Sequence, residues 1–284
     1  MSLFGKIRKV RGGLTDVKAR KIPLPSAPES FNADTFFAGI HWHQGWDIFD
    51  GVRVPGRNPV EELCEYIQLP KDMTGMRVLD IGAWHGCFSF ECERRGAKEI
   101  LAYSLEDPEK VGFNKLKAIL GSKVQYQLGS VYDLNKNELG EFDVVLFLGV
   151  LYHLRYPLLA FDQIRNVCKG TCYVESHVCD NCFIPAGKTS NEAVALKEIS
   201  PMLSKTPIWQ FYKYKELNDD LSNWFGPNIC AVMSAMETSG FRTEFLHAWG
   251  SRASFRGTPL KSLKECWEHA YDASETVLKS VRLR

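Results

Sequence analysis

The segment Arg77-Val-Leu-Asp-Ile-Gly-Ala-Trp-His-Gly86 constrains the fold of this chain more than any other. A short apolar run ends in a carboxylate and a glycine, and a second glycine opens a helical pattern over residues 87–95. A buried parallel strand that turns directly into a helix reads this way. Its glycines let backbone approach a ligand closely, and the first helical turn offers unpaired N–H groups. The same alternation continues downstream. Apolar runs of strand length occupy 76–81, 99–105, 124–128, 142–148 and 171–178, and helical spacing marks 109–120 and 158–168. The run 142–148 is broken only by Asp143, as expected for a central strand covered on both faces. The succession predicts an α/β protein with a doubly wound, Rossmann-like parallel sheet over residues 76–178.

Two regions lie outside that rhythm. Residues 31–75 combine prolines with Phe36, Phe37, Trp42, Trp46 and Phe49, and predict an irregular but ordered N-terminal cap that feeds a helix over 59–67. Residues 179–228 hold Trp209, Tyr212 and Trp224 with little periodicity, and a long insertion after a fifth strand predicts a lid over a substrate. Residues 229–284 are expected to return to the same domain, with a helix over 231–239 and a closing hairpin from 241–249 and 252–255.

Composition narrows the class. No run approaches the roughly 20 apolar residues that span a bilayer, and the N-terminus carries no apolar signal segment, so a cytoplasmic protein is expected. The nine cysteines are scattered. The single C-x-x-C of Cys179 and Cys182 lacks a matched second pair, so buried reduced thiols are expected and no metal site. Net charge is +1, yet residues 1–21 carry seven lysines and arginines against Asp16. That basic leader, taken as residues 1–30, is expected to be a solvated tail, with contact to RNA, a membrane surface or an acidic partner as the competing role.

Four segments carry the chemistry. No lysine follows the first glycines as in a phosphate-binding loop, and Trp84 occupies the place of a glycine in G-x-G-x-x-G. The turn of Asp80, Gly82, Ala83, Trp84 and Gly86 therefore favours a cofactor with few or no phosphates, with S-adenosyl-L-methionine the leading candidate. After the second strand the position expected to receive ribose hydroxyls is Ser104, so Glu106 or Asp107 must serve. Alternation puts Glu106 on the face of Ser104, and capping of the next helix is the competing role for both acids. After the third strand come Ser130, Val131 and Asp133, placed to meet an adenine ring and its amine, with a helix cap as the alternative. After the fourth, Gly149 and Val150 permit close approach, while Tyr152 and His153 face the reacting centre. A histidine titrating near neutrality suits a general base for a hydroxyl acceptor, and His153 and His43 are the candidates. Trp42, Arg57, Arg155, Trp209, Tyr212 and Trp224 are the expected substrate contacts.

Together these segments resemble the class I S-adenosylmethionine-dependent methyltransferases. More narrowly they resemble the bacterial group named for tRNA wobble-uridine (5-oxyacetyl uridine) methyltransferase. The resemblance rests on Val78-Leu-Asp-Ile-Gly-Ala-Trp-His-Gly-Cys-Phe-Ser-Phe-Glu91, Arg94-Arg-Gly-Ala97 and Gly149-Val-Leu-Tyr-His-Leu154. His43, Asp50-Gly, Pro55-Gly and Asn223-Trp-Phe-Gly-Pro-Asn228 support it, and it covers roughly residues 36–256. It implies a seven-stranded methyltransferase sheet with a reversed last strand, and S-adenosylmethionine or its carboxy derivative as donor. A carboxylated donor would call for cations near the methyl position, such as Arg57 and Arg155. His85 and Ser104 depart from the group, each standing where an acidic residue is usual. The expected activity is O-methylation of a small hydroxylated molecule, a sugar or secondary metabolite. The alternatives are tRNA wobble-uridine methylation and non-catalytic cofactor binding. Nothing in the sequence specifies the oligomeric state.

Overall fold

A computed structural model describes residues 24–260; the basic leader through residue 21 and the chain beyond residue 260 lie outside the described residues. Its centre is one seven-stranded sheet built from β1 (Arg77–Ile81), β2 (Glu99–Ser104), β3 (Gln125–Leu128), β4 (Phe142–Leu148), β5 (Cys168–His177), β6 (Phe241–Trp249) and β7 (Arg252–Pro259). The spatial order is β6-β7-β5-β4-β1-β2-β3. Strands β1 to β5 pair in parallel, while β7 runs antiparallel to both β5 and β6. The strand order reverses beside β1, and ligands of doubly wound sheets bind at the carboxyl ends of the strands flanking such a point.

Helices α1 (Val60–Tyr66), α2 (Cys87–Arg94), α3 (Phe113–Leu120), α4 (Pro157–Val167) and α5 (Ile229–Thr238) cover the sheet. Alternation along the buried strands divides the core into two layers. Val78 of β1 with Val144 and Leu146 of β4 joins Phe90, Phe113, Trp46 and Ile48 on the α2 face. Leu79, Ile81, Val145 and Phe147 join Phe161, Ile164 and Phe255 on the α4 face. Residues 24–75 close the α2 face: the Trp46 indole donates to Glu91 Oε2 at 2.9 Å, and Arg94 lies 3.9 Å over its ring.

Several elements differ from the pattern read in the sequence: the closing strand, read over 252–255, runs to Pro259, and the helix read over 231–239 spans Ile229–Thr238. Helix α3 begins at Phe113 and not at residue 109, because Gly112 is left-handed at φ +78° and ends a turn there. A side chain at Gly112 would meet Trp42 at 2.6 Å. Strand β5 begins at Cys168, three residues early, so Cys168 belongs to the strand and not to the helix before it. The segment 179–228 contains a short antiparallel pair, Trp209–Phe211 with Phe225–Pro227, that periodicity does not announce. No helix of the described residues is long and apolar enough to cross a membrane.

Candidate functional site

A cavity of about 800 Å³ opens over the carboxyl ends of β1, β2, β4 and β5. One half is floored by glycine-bearing turns. Gly82 (φ +71°) donates its N–H to Tyr103 O at 2.8 Å, and a Cβ there would lie 2.4 Å from Val150. A Cβ on Gly129 would fall 2.0 Å from the Tyr103 hydroxyl. Trp84 adopts φ +53°, a conformation that costs a bulky residue energy and is retained where surrounding structure fixes it. Gly82→Ala combines the left-handed penalty with the clash against Val150. It should lower stability by about 1–3 kcal/mol and weaken donor binding, both measurable by denaturation and calorimetry.

His85, also in the first turn, is fully buried and serves as a structural tie. Its Nε2 accepts the His43 N–H at 2.9 Å, so Nδ1 carries the proton and donates to Val111 O at 2.5 Å. One imidazole thus joins the N-terminal segment, the first turn and the chain before α3. Gln44 adds to this, its carboxamide oxygen accepting the Cys87 N–H at 3.2 Å.

The sequence-derived donor residues divide by placement. Gly82, Trp84, Ser104, Glu106, Ser130, Val131, Gly149 and Val150 line the cavity. Ser104 and Glu106 meet there, the hydroxyl donating to the carboxylate. Asp107 does not line it; the carboxylate is exposed and accepts the Glu109 N–H at 3.0 Å. Asp80 is buried behind the wall, because alternation along β1 turns it with Val78 toward α2, where it accepts the Ser89 hydroxyl at 2.6 Å. Ala83 and Gly86 shape the turn without lining the cavity, and Asp133 is exposed beyond its rim.

Tyr152, His153 and His43 all line the other half. His153 Nδ1 lies 2.9 Å from Ser222 Oγ, whose hydroxyl donates to Asp220 Oδ1 at 2.7 Å. With its hydrogen spent on the carboxylate, Ser222 accepts from the imidazole, which places the His153 proton on Nδ1 and leaves Nε2 basic. Burial lowers the His153 pKa, and the Ser222 backbone and Asp220 oppose that shift. Burial also lowers that of His43, with His41 adding to it. Beneath them Glu175, 2 % exposed, pairs with Arg252 through both carboxylate oxygens, one contact at 2.6 Å, and Arg252 Nη1 donates to the Tyr152 hydroxyl at 3.2 Å.

None of the six expected substrate contacts lines the cavity. Trp42 is core, 4.8 Å from the His85 ring. Arg57 is exposed, and Arg155 lies 4.3 Å over Trp224 away from the wall. Trp209 packs on Phe225, and Tyr212 is buried one hydrogen bond behind His177, at 2.8 Å. Tyr66, Trp249, Asn223 and Arg252 are on the wall instead. They come from α1, from the β6–β7 turn and from the insertion, segments whose sequence does not say which side chains face the cavity.

Buried titratable groups set the acid response. His85 and His177 are lowered from 6.5 to about 4, burial being the largest cause in each. Such groups stabilise the fold above the unfolded value of 6.5, and that contribution is lost as pH falls toward 4. Asp80, raised by burial from 3.8 to about 6, acts oppositely: its contribution is present below 3.8 and lost as pH rises through 6. His43 and His153, also lowered by burial, act with the first two, and Asp162 and Asp180, also raised by burial, act with Asp80. With four histidines against three aspartates, the denaturation midpoint should fall as pH drops from 6.5 to 4.5, and less steeply in His85→Gln. A flat midpoint over that range would refute the assignment. Among the described residues no group of three or more His, Cys, Asp and Glu side chains is arranged to hold a metal ion.

A sheet of this order, with its cavity over glycine turns, is the architecture of a group-transfer enzyme that binds an adenosyl donor. The methyltransferase-domain family matches residues 57–242, and the chain belongs to it, among the class I S-adenosyl-L-methionine-dependent methyltransferases. The chain is similar to a tRNA U34 carboxymethyltransferase of Dichelobacter nodosus, 29% identical over 177 residues, 61% of this chain and 47% of that protein. It is also similar to a ubiquinone biosynthesis O-methyltransferase of Xanthomonas oryzae pv. oryzae, 36% identical over 127 residues, 44% of this chain and 51% of that one. The chain thus spans about half the length of the curated relatives it matches. Among solved structures, the N-terminal domain of EvdMO1, crystallised in the presence of SAH and D-fucose, shares the fold. The TM-score is 0.53 at 18% identity, covering 80% of this chain and 94% of that one.

Proposed function

We propose that this protein methylates a hydroxyl oxygen of a small hydroxylated molecule, a sugar or secondary metabolite, with S-adenosyl-L-methionine as donor. The observation that carries the reading is the Asp220–Ser222–His153 chain, which faces the same cavity as the glycine turns. The residues present fit an adenosyl amino acid: Gly82 and Gly149 allow backbone contact, Glu106 beside Ser104 suits ribose hydroxyls, and Ser130 with Val131 suits an adenine edge. The donor supplies an electrophilic methyl on sulfur, which leaves with its bonding pair on that sulfur. His153 Nε2 takes the proton of the acceptor hydroxyl as its oxygen bonds to that methyl, while Ser222 and Asp220 hold the imidazole in the basic tautomer. Residues 31–75 act as the cap and 179–228 as the lid in this reading, since His43, Asn58 and Tyr66 from the first and Asp220, Ser222 and Asn223 from the second line the cavity.

Calorimetry with S-adenosyl-L-methionine, followed by transfer of a labelled methyl to hydroxylated acceptors, tests the proposal. Absence of donor binding by the folded wild type would sink it, and would leave no enzymatic reading standing. A second reading, methylation of a tRNA wobble uridine, is favoured by the Dichelobacter relative and by the basic leader. It predicts turnover that falls steeply with salt and requires residues 1–21. Turnover insensitive to both would exclude it.

A further inference from the structure

His177 ends β5 and lines the cavity, two residues past Glu175 on the same face of the strand. Its Nε2 lies 2.8 Å from the Tyr212 hydroxyl, which has no second hydrogen-bond partner among the described residues. The phenol fits there because residue 226 is glycine: a Cβ on Gly226 would fall 2.0 Å from the hydroxyl. Burial pushes the Tyr212 pKa up, so the oxygen keeps its hydrogen. A hydroxyl that accepted from Nε2 would leave that hydrogen buried and unpaired, so the hydroxyl donates and Nε2 accepts. Burial and, after it, Arg252 lower the His177 pKa to about 4. The ring is therefore neutral, and its one N–H hydrogen sits on Nδ1.

Nδ1 has no partner of its own among the described residues. Every wholly buried side-chain nitrogen and oxygen among them is paired except Asn223 Oδ1. Nδ1 is thus open to the cavity, and its N–H is a donor that a bound molecule has to satisfy or lose affinity. Its position identifies the molecule. In the order β7-β5-β4-β1-β2, β5 lies two strands from β1, about 10 Å across the sheet from the strand that carries the Gly82 turn. The Tyr152 ring centroid is 4.2 Å from that of His153 and 6.1 Å from that of His177, so one small molecule can touch both imidazoles.

We propose that His177 positions the acceptor, its Nδ1–H donating to an oxygen of the acceptor other than the one that receives the methyl group. The acceptor class is therefore a polyoxygenated molecule, with a second hydroxyl or an ether oxygen, as in a pyranoside. The inference rests on the O-methyltransferase reading, in which His153 takes the proton of the first hydroxyl. The contact is to a group that does not react, so its loss is read in KM and not in kcat.

Two replacements separate this role from a merely structural tie between β5 and the insertion. In His177→Asn the carboxamide nitrogen takes the place of Nδ1 and the link to Tyr212 is lost. In His177→Gln the carboxamide oxygen reaches Tyr212 and nothing replaces the Nδ1–H. With methyl hexopyranosides as acceptors and release of S-adenosylhomocysteine as the measure, His177→Gln should raise the acceptor KM about 10-fold, with kcat and donor affinity within a few-fold of wild type. His177→Asn should recover most of that loss. In the wild type, proton–nitrogen NMR correlation of the imidazole should show hydrogen on Nδ1 and none on Nε2, a preference that Tyr212→Phe removes. The Nδ1–H signal should shift when a pyranoside that is turned over is added with S-adenosylhomocysteine, a readout that stands even if the variants do not fold. Hydrogen on Nε2 in the wild type, an unshifted signal, a His177→Gln KM equal to wild type, or greater impairment in His177→Asn than in His177→Gln would overturn the inference. So would turnover of no pyranoside by a protein that binds donor. Failure to bind donor overturns the underlying function instead.

Discussion

Replacing His153 with alanine should lower kcat by about 10²–10⁴-fold, the usual contribution of general-base catalysis, while donor affinity stays within a few-fold of wild type. The imidazole is the group whose free nitrogen is available to a hydroxyl, because Ser222 and Asp220 occupy its Nδ1 side. Its pKa lies below the ordinary 6.5 through burial, so it is unprotonated at neutral pH, and kcat/KM should rise with pH below that value and then level off. Asp220 opposes the lowering. In Asp220→Asn the acidic limb should therefore move to lower pH, and kcat should fall because the tautomer is less firmly set. An unchanged kcat in His153→Ala on any accepted substrate would remove this residue from the mechanism, leaving His43 as the remaining histidine candidate.

Arg252→Ala should destabilise the fold by about 3–5 kcal/mol, the cost of leaving a buried charge without its partner. The asymmetry within the pair matters. The Glu175 side chain is 3% exposed and that of Arg252 31%, so the carboxylate is the member that cannot reach water. Glu175→Gln should be milder, since Arg252 retains solvent on one side and its bond to Tyr152. Replacing both by apolar residues of similar volume should recover most of the loss. Urea denaturation of the two single variants and the double variant measures the coupling, and an Arg252→Ala midpoint close to wild type would show that the pair is not desolvated as described.

The succession of strands was legible because it follows from local signals, whereas the seven-stranded sheet with its reversed strand followed from the family resemblance alone. Continuous apolar runs 142–148 and 76–81 mark buried strands, and Gly82 and Gly86 mark the turn that a ligand approaches. The half of the cavity floored by glycine turns was legible for the same reason, since glycines and strand-end polar residues sit at fixed offsets from the strands. The opposite half was not. Arg57, Arg155, Trp209, Tyr212 and Trp224 were singled out by residue type within regions lacking periodicity, and type alone does not say which way a side chain faces. Trp224 turns to Arg155 and Tyr212 to His177, while the wall is made by Tyr66, Trp249 and Asn223. Asp80 failed to reach the cavity for a reason the sequence contains: it shares parity with Val78 and not with Ile81, and so points to α2.

The reversed strand β7 has a consequence for how such a protein can change its substrate. Because β6 ends and β7 begins at the cavity, one tight turn at Gly250 delivers Trp249 and Arg252 to the mouth from opposite directions. A strand running the other way would have needed a crossover and would have contributed only its tail. Lengthening or recomposing the 249–252 turn therefore alters this part of the cavity mouth while β1 through β4, whose ends lead into the glycine turns, keep their register. The two parts of the wall are held on separable stretches of chain, so each can vary without the other.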